Sequence, residues 1–400
     1  MQIQTPAPVH LTYCLNIHPG ETLAENLAAI RQHAVAVKQH VSPAAPFGLG
    51  LRFGAAAAAE LRAPAARQAL RAELGTLGLY AFTINGFPFG QFHGARVKEN
   101  VYAPDWRTRE RLDYTCLLAD ILADLLPDGS SGSISTLPGS FKPWLRTETD
   151  IVAVAENLVA CAGHLAELRA RTGREIQVGL EPEPFCLLET TDEVLRFFAG
   201  PLAAACATTA ERDAVRRHLG VCLDTCHVAL QFESPLAALR RYRAAGIRVS
   251  KIQISAALEV LWAGATAPAG VRGSCSSRPQ ELDALRAFDE PVYLHQTKAR
   301  LNNGALLAWP DLPDALPALA QNTEWETVRV HFHVPLFWEG GAGLRSTAAL
   351  LDGEFFREAC ATTEQLEVET YTFSVLPEPL RAGGVVACVS RELDWVRQRL

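Results

Sequence analysis

Eight short apolar runs, each separated from the next by a stretch with helical spacing, constrain this chain more than any other feature. The runs are Thr12–Ile17, Gly48–Phe53, Leu79–Ile84, Gly132–Leu137, Ile176–Leu180, Gly220–Leu223, Ile247–Ile254 and Gln365–Thr370. Between them, Glu21–Val41 places Leu23, Leu27, Ile30, Ala34 and Val37 at helical intervals, and Ala55–Leu74, Thr108–Leu125 and Thr147–Arg171 are strong helix formers. Such alternation predicts a parallel sheet with helices outside it. A closed (β/α)8 barrel and an open doubly wound sheet both satisfy the pattern. The barrel is favoured because polar residues recur at strand C-terminal ends along most of the chain, where a barrel builds its site. An open sheet gathers its ligands at one switch point instead. The sequence has no Gly-x-Gly-x-x-Gly after the first strand, no P-loop and no Gly-x-Ser-x-Gly elbow, which disfavours nucleotide folds and serine hydrolases.

At 400 residues the chain exceeds the roughly 250 of a minimal barrel. The surplus lies between Ser255 and Glu364, with a Gly/Ser/Pro-rich piece (Gly264–Pro279) and two further strand-like runs, VYLHQTK and VRVHFHVPLF. The reading is one barrel domain over 1–400, with 256–364 inserted after strand seven as a roof on the site. A net charge of -7 without a basic tail argues against nucleic acid as a partner. The N-terminus lacks a signal-peptide pattern, and no apolar stretch reaches the roughly 18–20 uncharged residues of a membrane span. Ten cysteines, Cys275 among them, are scattered without a Cys-x-x-Cys pair, as expected of reduced thiols in a cytoplasmic protein.

Polar residues at the strand ends carry the candidate chemistry. Glu181 ends a continuous apolar run in GLEPEP, where a buried carboxylate needs a cap, a cation or a metal; Glu183 follows two residues on. Asp224 and His227, in LDTCH, can reach one site from a strand end and the turn after it. His331 and His333, in VRVHFHVP, fall on one face of an extended segment, about 7 Å apart by strand rise. Glu369 closes the last strand beside the first and would face Glu181 across the barrel mouth. Two carboxylates flanking a metal-bound polyol suit proton removal from carbon on one side and return on the other. Gln253 ends strand seven and offers an amide oxygen to a metal. His18, Asn85, His93 and Lys142 lie in loops after strands one, three and four as candidate substrate contacts. Lys251, His295 and Lys298 are polar residues in strand-like runs near the roof.

This strand-end set resembles the xylose-isomerase-like barrel superfamily of sugar isomerases, ketose epimerases and the endonuclease-IV group. The matching pieces are Glu181, Asp224-x-x-His227, the His331-x-His333 pair and Glu369. Over essentially the full length, phrases such as LTYCLNIHPGET, GLEPEPFCLLETT, GVCLDTCHVALQFE and VETYTFSVLP resemble the EboE-type metabolite traffic proteins. That resemblance implies a role in maturing or exporting a secondary metabolite, alongside a prenyltransferase-like membrane protein. The chain departs from many superfamily members at strand seven, where Gln253 stands in place of a metal-binding His or acid.

The expected function is a metal-dependent isomerase or epimerase acting on a sugar- or cyclitol-like polyol. Glu181 and Glu369 would exchange protons, and Glu181, Asp224, His227, Gln253, His331, His333 and Glu369 would hold the ion. Mixed oxygen and nitrogen donors suit Mn²⁺, Mg²⁺, Fe²⁺, Co²⁺ or Zn²⁺. The rivals are an endonuclease-IV-like phosphoesterase and a barrel that binds or carries a metabolite without turnover.

Overall fold

Each of the eight runs becomes a strand, and every neighbouring pair is parallel. In a computed structural model describing residues 1–4, 8–94, 96–261, 279–321 and 324–400, they are strand one (Val9–Tyr13), two (Phe47–Arg52), three (Leu79–Asn85), four (Gly132–Thr136), five (Ile176–Leu180), six (Leu219–Asp224), seven (Arg248–Ile254) and eight (Gln365–Val368). Strand one pairs with eight, eight with seven, and so on in order down to two. Strand two meets strand one again through a parallel bridge between Cys14 and Gly50, and the Thr12 hydroxyl donates to the Gly48 carbonyl at 2.7 Å. The sheet is therefore a closed (β/α)8 barrel. Its strands are buried on both faces, as helices outside and side chains inside require.

The helices begin where local chemistry tells them to. Capping boxes start four of them: Thr22 with Glu25, Thr147 with Asp150, Thr190 with Glu193, and Thr208 with Glu211. Helix Glu148–Thr172 ends on Gly173 in the left-handed region, at φ 72°. That helix is long and apolar enough to cross a bilayer, contrary to the sequence expectation. Its apolar stripe, including Val154, Leu158, Cys161 and Leu165, is instead buried, and it packs against helices Arg109–Leu125 and Thr209–His218.

The barrel interior is polar and layered. Alternate residues of strand eight point inward, one to each level. Gln365 accepts from Ser133 at 2.6 Å at the bottom, Glu367 pairs with Lys251 at 2.5 Å in the middle, and Glu369 accepts from Asn85 at 3.1 Å at the top. Lys251 is thus inside the barrel and not near the roof. Gly50 makes room for the middle layer, since a Cβ there would stand 1.8 Å from Glu367 Oε1.

Between strands seven and eight the chain builds a second, antiparallel sheet. Its order is Leu306–Trp309, Thr297–Leu301, Trp325–Val330, Leu258–Leu261, Leu344–Ser346. Helix Gly353–Thr362 then returns to the outer ring, packed on helix Pro235–Ala244. Of the run VYLHQTK only Thr297 and Lys298 join a strand. Strand Trp325–Val330 stops just short of His331, so His331 and His333 sit in the turn beyond it. Residues 264–278, with Cys275, lie outside the described residues. Cys14, Cys161, Cys186, Cys206, Cys222, Cys226 and Cys388 are buried and unbridged.

Candidate metal centre

Three strand ends deliver carboxylates to one point. Glu181 follows strand five and keeps its register, its N–H donating to the Thr136 carbonyl at 2.9 Å. Asp224 is both the last residue of strand six and the N-cap of helix Thr225–Leu230. Its Oδ1 accepts from the Cys226 and His227 N–H groups at 2.8 and 3.1 Å and from the Ser255 hydroxyl at 2.6 Å. Glu369 Oε1 accepts from the Asn16 and Asn85 amides at 2.7 and 3.1 Å. One oxygen of Asp224 and one of Glu369 are thereby fixed. Glu181 Oε2, Asp224 Oδ2 and Glu369 Oε2 are buried without a hydrogen-bond partner. The three residues offer ligand atoms within 4.8 Å of one another.

The histidines have the same asymmetry. His227 Nδ1 donates to the Pro182 carbonyl at 3.0 Å, and His333 Nδ1 to the Glu369 carbonyl at 2.8 Å. His331 Nδ1 donates to Gln296 Oε1 at 2.6 Å; the Gln296 amide is oriented by its Nε2, which donates to Tyr102 and Glu183 at 2.9 and 3.2 Å. With Nδ1 carrying the proton in every case, all three Nε2 atoms present lone pairs, as metal-ligating imidazoles do. His333 Nε2 has no partner and lies 4.0 Å from Asp224 Oδ2. His227 Nε2 and His331 Nε2 face each other at 3.0 Å. Burial drives His227 down to about 4 and His331 well below its ordinary value. The donor set therefore fits a divalent cation.

The electrostatics point the same way. Glu181, Glu183, Asp224, Glu367 and Glu369 are all buried at or below the mouth, and the buried Lys251 is engaged by Glu367. Burial, then the Asp224 charge, pushes Glu181 well above the ordinary carboxylate range; burial, then Glu181, does the same for Glu369. Burial also opposes the charge on Asp224, but His227, His333 and the Ser255 hydroxyl more than offset it and hold that group low. Beside the centre, Glu183 accepts from Tyr102 at 2.8 Å, and burial pushes it up to about 8.

Of the candidates read from the sequence, Glu181, Asp224, His227, His331, His333, Glu369 and Asn85 converge here. Gln253 does not: it lies inside the barrel, where its Oε1 accepts from the Cys222 thiol at 3.0 Å. His18 turns away, bonded to the Tyr13 hydroxyl at 3.0 Å and stacked on His33. His93 lies 3.9 Å from Glu21, outside the pocket. Lys142 is drawn outward by Glu189 and Glu193, at 2.8 and 3.0 Å. Asn16, Tyr102 and Gln296 were missed. Asn16 sits in a short 3-10 turn (Leu15–Ile17) where the sequence suggests strand.

A buried acid outside the centre ties its two halves together. Glu392, on the C-terminal helix Gly384–Arg397, accepts from the Leu336 N–H at 3.1 Å and the Thr370 hydroxyl at 2.8 Å. It thus links the segment after His333 to the residue after Glu369. Burial pushes Glu392 up to about 7. Because the folded value is raised, its stability contribution is complete below the ordinary range near 4.5 and drains as pH rises through 7. Glu392→Gln keeps an acceptor oxygen and cannot ionise. Thermal melts of this variant should lack about 3 kcal/mol of the destabilisation that wild type shows between pH 5 and 8. Parallel pH profiles for the two proteins would contradict this role.

No protein-family profile and no curated protein matches the chain. Among solved structures it is similar to the probable 3-DHS dehydratase AsbF of Bacillus anthracis, at 14% identity over 98% of this chain and 100% of that one, with a TM-score of 0.47. It is also similar to a xylose isomerase domain protein from Alicyclobacillus acidocaldarius, at 12% identity over 97% and 98%, TM-score 0.46. A xylose isomerase domain protein from Planctomyces limnophilus aligns at 15% identity over 88% of each chain, TM-score 0.44. The barrel assignment itself rests on the strand order, parallel register and closure.

Proposed function

We propose that this protein is a divalent-metal-dependent isomerase or epimerase that moves a proton on a hydroxy-carbonyl, polyol-like metabolite. The observation that carries this reading is the pair Glu181 and Glu369, two protonatable carboxylates with inward-facing, unpartnered oxygens beside Asp224. Glu181, Asp224, Glu369 and His333 would hold the ion, with His227 and His331 beside them. A bound divalent ion supplies charge stabilisation for the oxyanion that forms when a proton leaves the adjacent carbon. Glu181 and Glu369 are the groups that take and return that proton. The histidines, with Nδ1 held by fixed oxygens, present Nε2 lone pairs suited to ligating the ion. Asn16 and Asn85 hold Glu369 Oε1, so its other oxygen faces the substrate. The sequence resemblance to EboE-type proteins supports a setting in secondary metabolism.

The test is NMR in D₂O with Mn²⁺-, Co²⁺- or Zn²⁺-loaded protein and a panel of ketoses and cyclitol ketones. One substrate C–H should exchange, and Glu181→Gln and Glu369→Gln should each slow that exchange by about 100-fold or more. No exchange with any ion would end this reading. A phosphoesterase is the second reading, favoured by the adjacent ligand groups Glu181/Asp224/Glu369 and Asp224/His227/His333, which share Asp224. Hydrolysis of bis(p-nitrophenyl) phosphate in place of exchange would establish it.

A further inference from the structure

The pocket above the centre changes character with height. Its free space is about 530 Å³, open mouth included. The floor is polar, with Glu181, Glu183, Glu369, the histidines, Asn16 and Asn85. The mouth is lined by Phe87, Phe92, Val97, Val101, Tyr293 and Leu294. Phe92, Val97 and Tyr293 form an apolar cluster separate from the main core. Three rings from three parts of the chain meet there: Phe92 to Tyr293 at 5.2 Å, Phe92 to Tyr371 at 5.6 Å, and Tyr293 to Tyr371 at 5.1 Å. Tyr371 in turn packs on His333 at 4.8 Å, so the aromatic wall begins at the centre itself.

This wall is held in place. The Val97 and Lys98 N–H groups donate to the Val292 carbonyl at 2.9 and 3.0 Å, stitching the loop after strand three to the roof segment. Lys98 adopts a left-handed backbone, φ 39°, at that joint. Two polar side chains of the mouth are already engaged. Lys98 Nζ pairs with Asp311 at 2.6 Å, and the Tyr293 hydroxyl donates to the Phe92 carbonyl at 3.2 Å.

A free sugar has a hydroxyl on nearly every carbon, and each one desolvated here without a partner costs about 1–3 kcal/mol. We infer that the substrate carries an apolar ring or chain next to its metal-facing hydroxy-carbonyl head, the head on the carboxylate floor and the apolar part between Phe92, Tyr293 and Tyr371. The inference rests on the metal-centre reading above and narrows its substrate class.

A series of straight-chain hydroxamic acids separates the two. Acetohydroxamate presents the chelating head alone, and the propano- to octanohydroxamates add a graded apolar tail. Titrated calorimetrically into Co²⁺-loaded full-length protein, the series should tighten about 3–4-fold per methylene. Phe92→Ala and, separately, Tyr293→Ala should cut the octano-to-aceto affinity ratio about 10-fold. Binding of acetohydroxamate with no gain along the wild-type series would overturn the apolar-substrate inference and leave the centre standing. Absence of any Co²⁺-dependent acetohydroxamate binding would overturn the centre, and this inference with it.

Discussion

Protein carrying Glu181→Gln together with Glu369→Gln is expected to bind divalent metal more than about 100-fold more weakly than wild type, since even outer-shell partners contribute 10–100-fold. Plasma emission spectroscopy on the two purified proteins reads this directly, and equal metal content would remove the site. The same substitutions should move the stability of the metal-free protein in the opposite direction. Burial raises both carboxyls above their ordinary range, so their contribution is complete below that range and is lost as pH rises. An amide cannot ionise and escapes that loss. Stripped with chelator and melted at pH 8, the double variant should be more stable than stripped wild type, with the gap closing toward pH 4. A residue that only shaped the fold would not weaken metal binding while strengthening the empty barrel. A stripped variant less stable than stripped wild type at pH 8 would contradict this account.

The second large effect lies one layer lower. Lys251 and Glu367 are both essentially inaccessible. Burial disfavours the ammonium, but the Glu367 carboxylate more than offsets this and holds Lys251 above its ordinary value. Lys251→Met should cost about 3–5 kcal/mol, because it leaves a buried carboxylate uncompensated. That is a large share of the roughly 5–15 kcal/mol that holds a domain folded. Lys251→Met with Glu367→Met should recover most of the loss, since a buried pair and an apolar pair of similar volume are nearly equivalent. Thermal midpoints of metal-free single and double variants check this. A Lys251→Met protein as stable as wild type would show that Glu367 has another partner.

The most legible parts of this chain were those whose signal is local. Strands five, six and eight are short apolar runs that stop on Glu181, Asp224 and Glu369, so both barrel and carboxylate set could be read from periodicity and strand ends. The loop residues were not legible. Lys142, His93 and His18 follow strands as site residues should, yet their directions are set by Glu189, Glu21 and Tyr13. Asn16 was hidden for the converse reason. Its strand was expected to run through Ile17 but ends at Tyr13, and the turn that follows is held by Glu369 from the far end of the chain. Gln253 ends its strand as a ligand would, but the pleat directs it into the barrel beside Cys222.

The antiparallel sheet between strands seven and eight has a consequence for how ion preference can change. The barrel strand ends carry the oxygen donors, while two of the three imidazoles, His331 and His333, follow strand Trp325–Val330 of the antiparallel sheet. Hard and softer coordination are thus carried by separable lengths of chain. Carboxylate oxygens favour Mg²⁺ and Mn²⁺, and imidazoles draw the choice toward Zn²⁺ and Fe²⁺. On the proposed function, exchanging the turn through 331–333 would be expected to shift that choice. On that reading, ion choice would follow the chain between strands seven and eight.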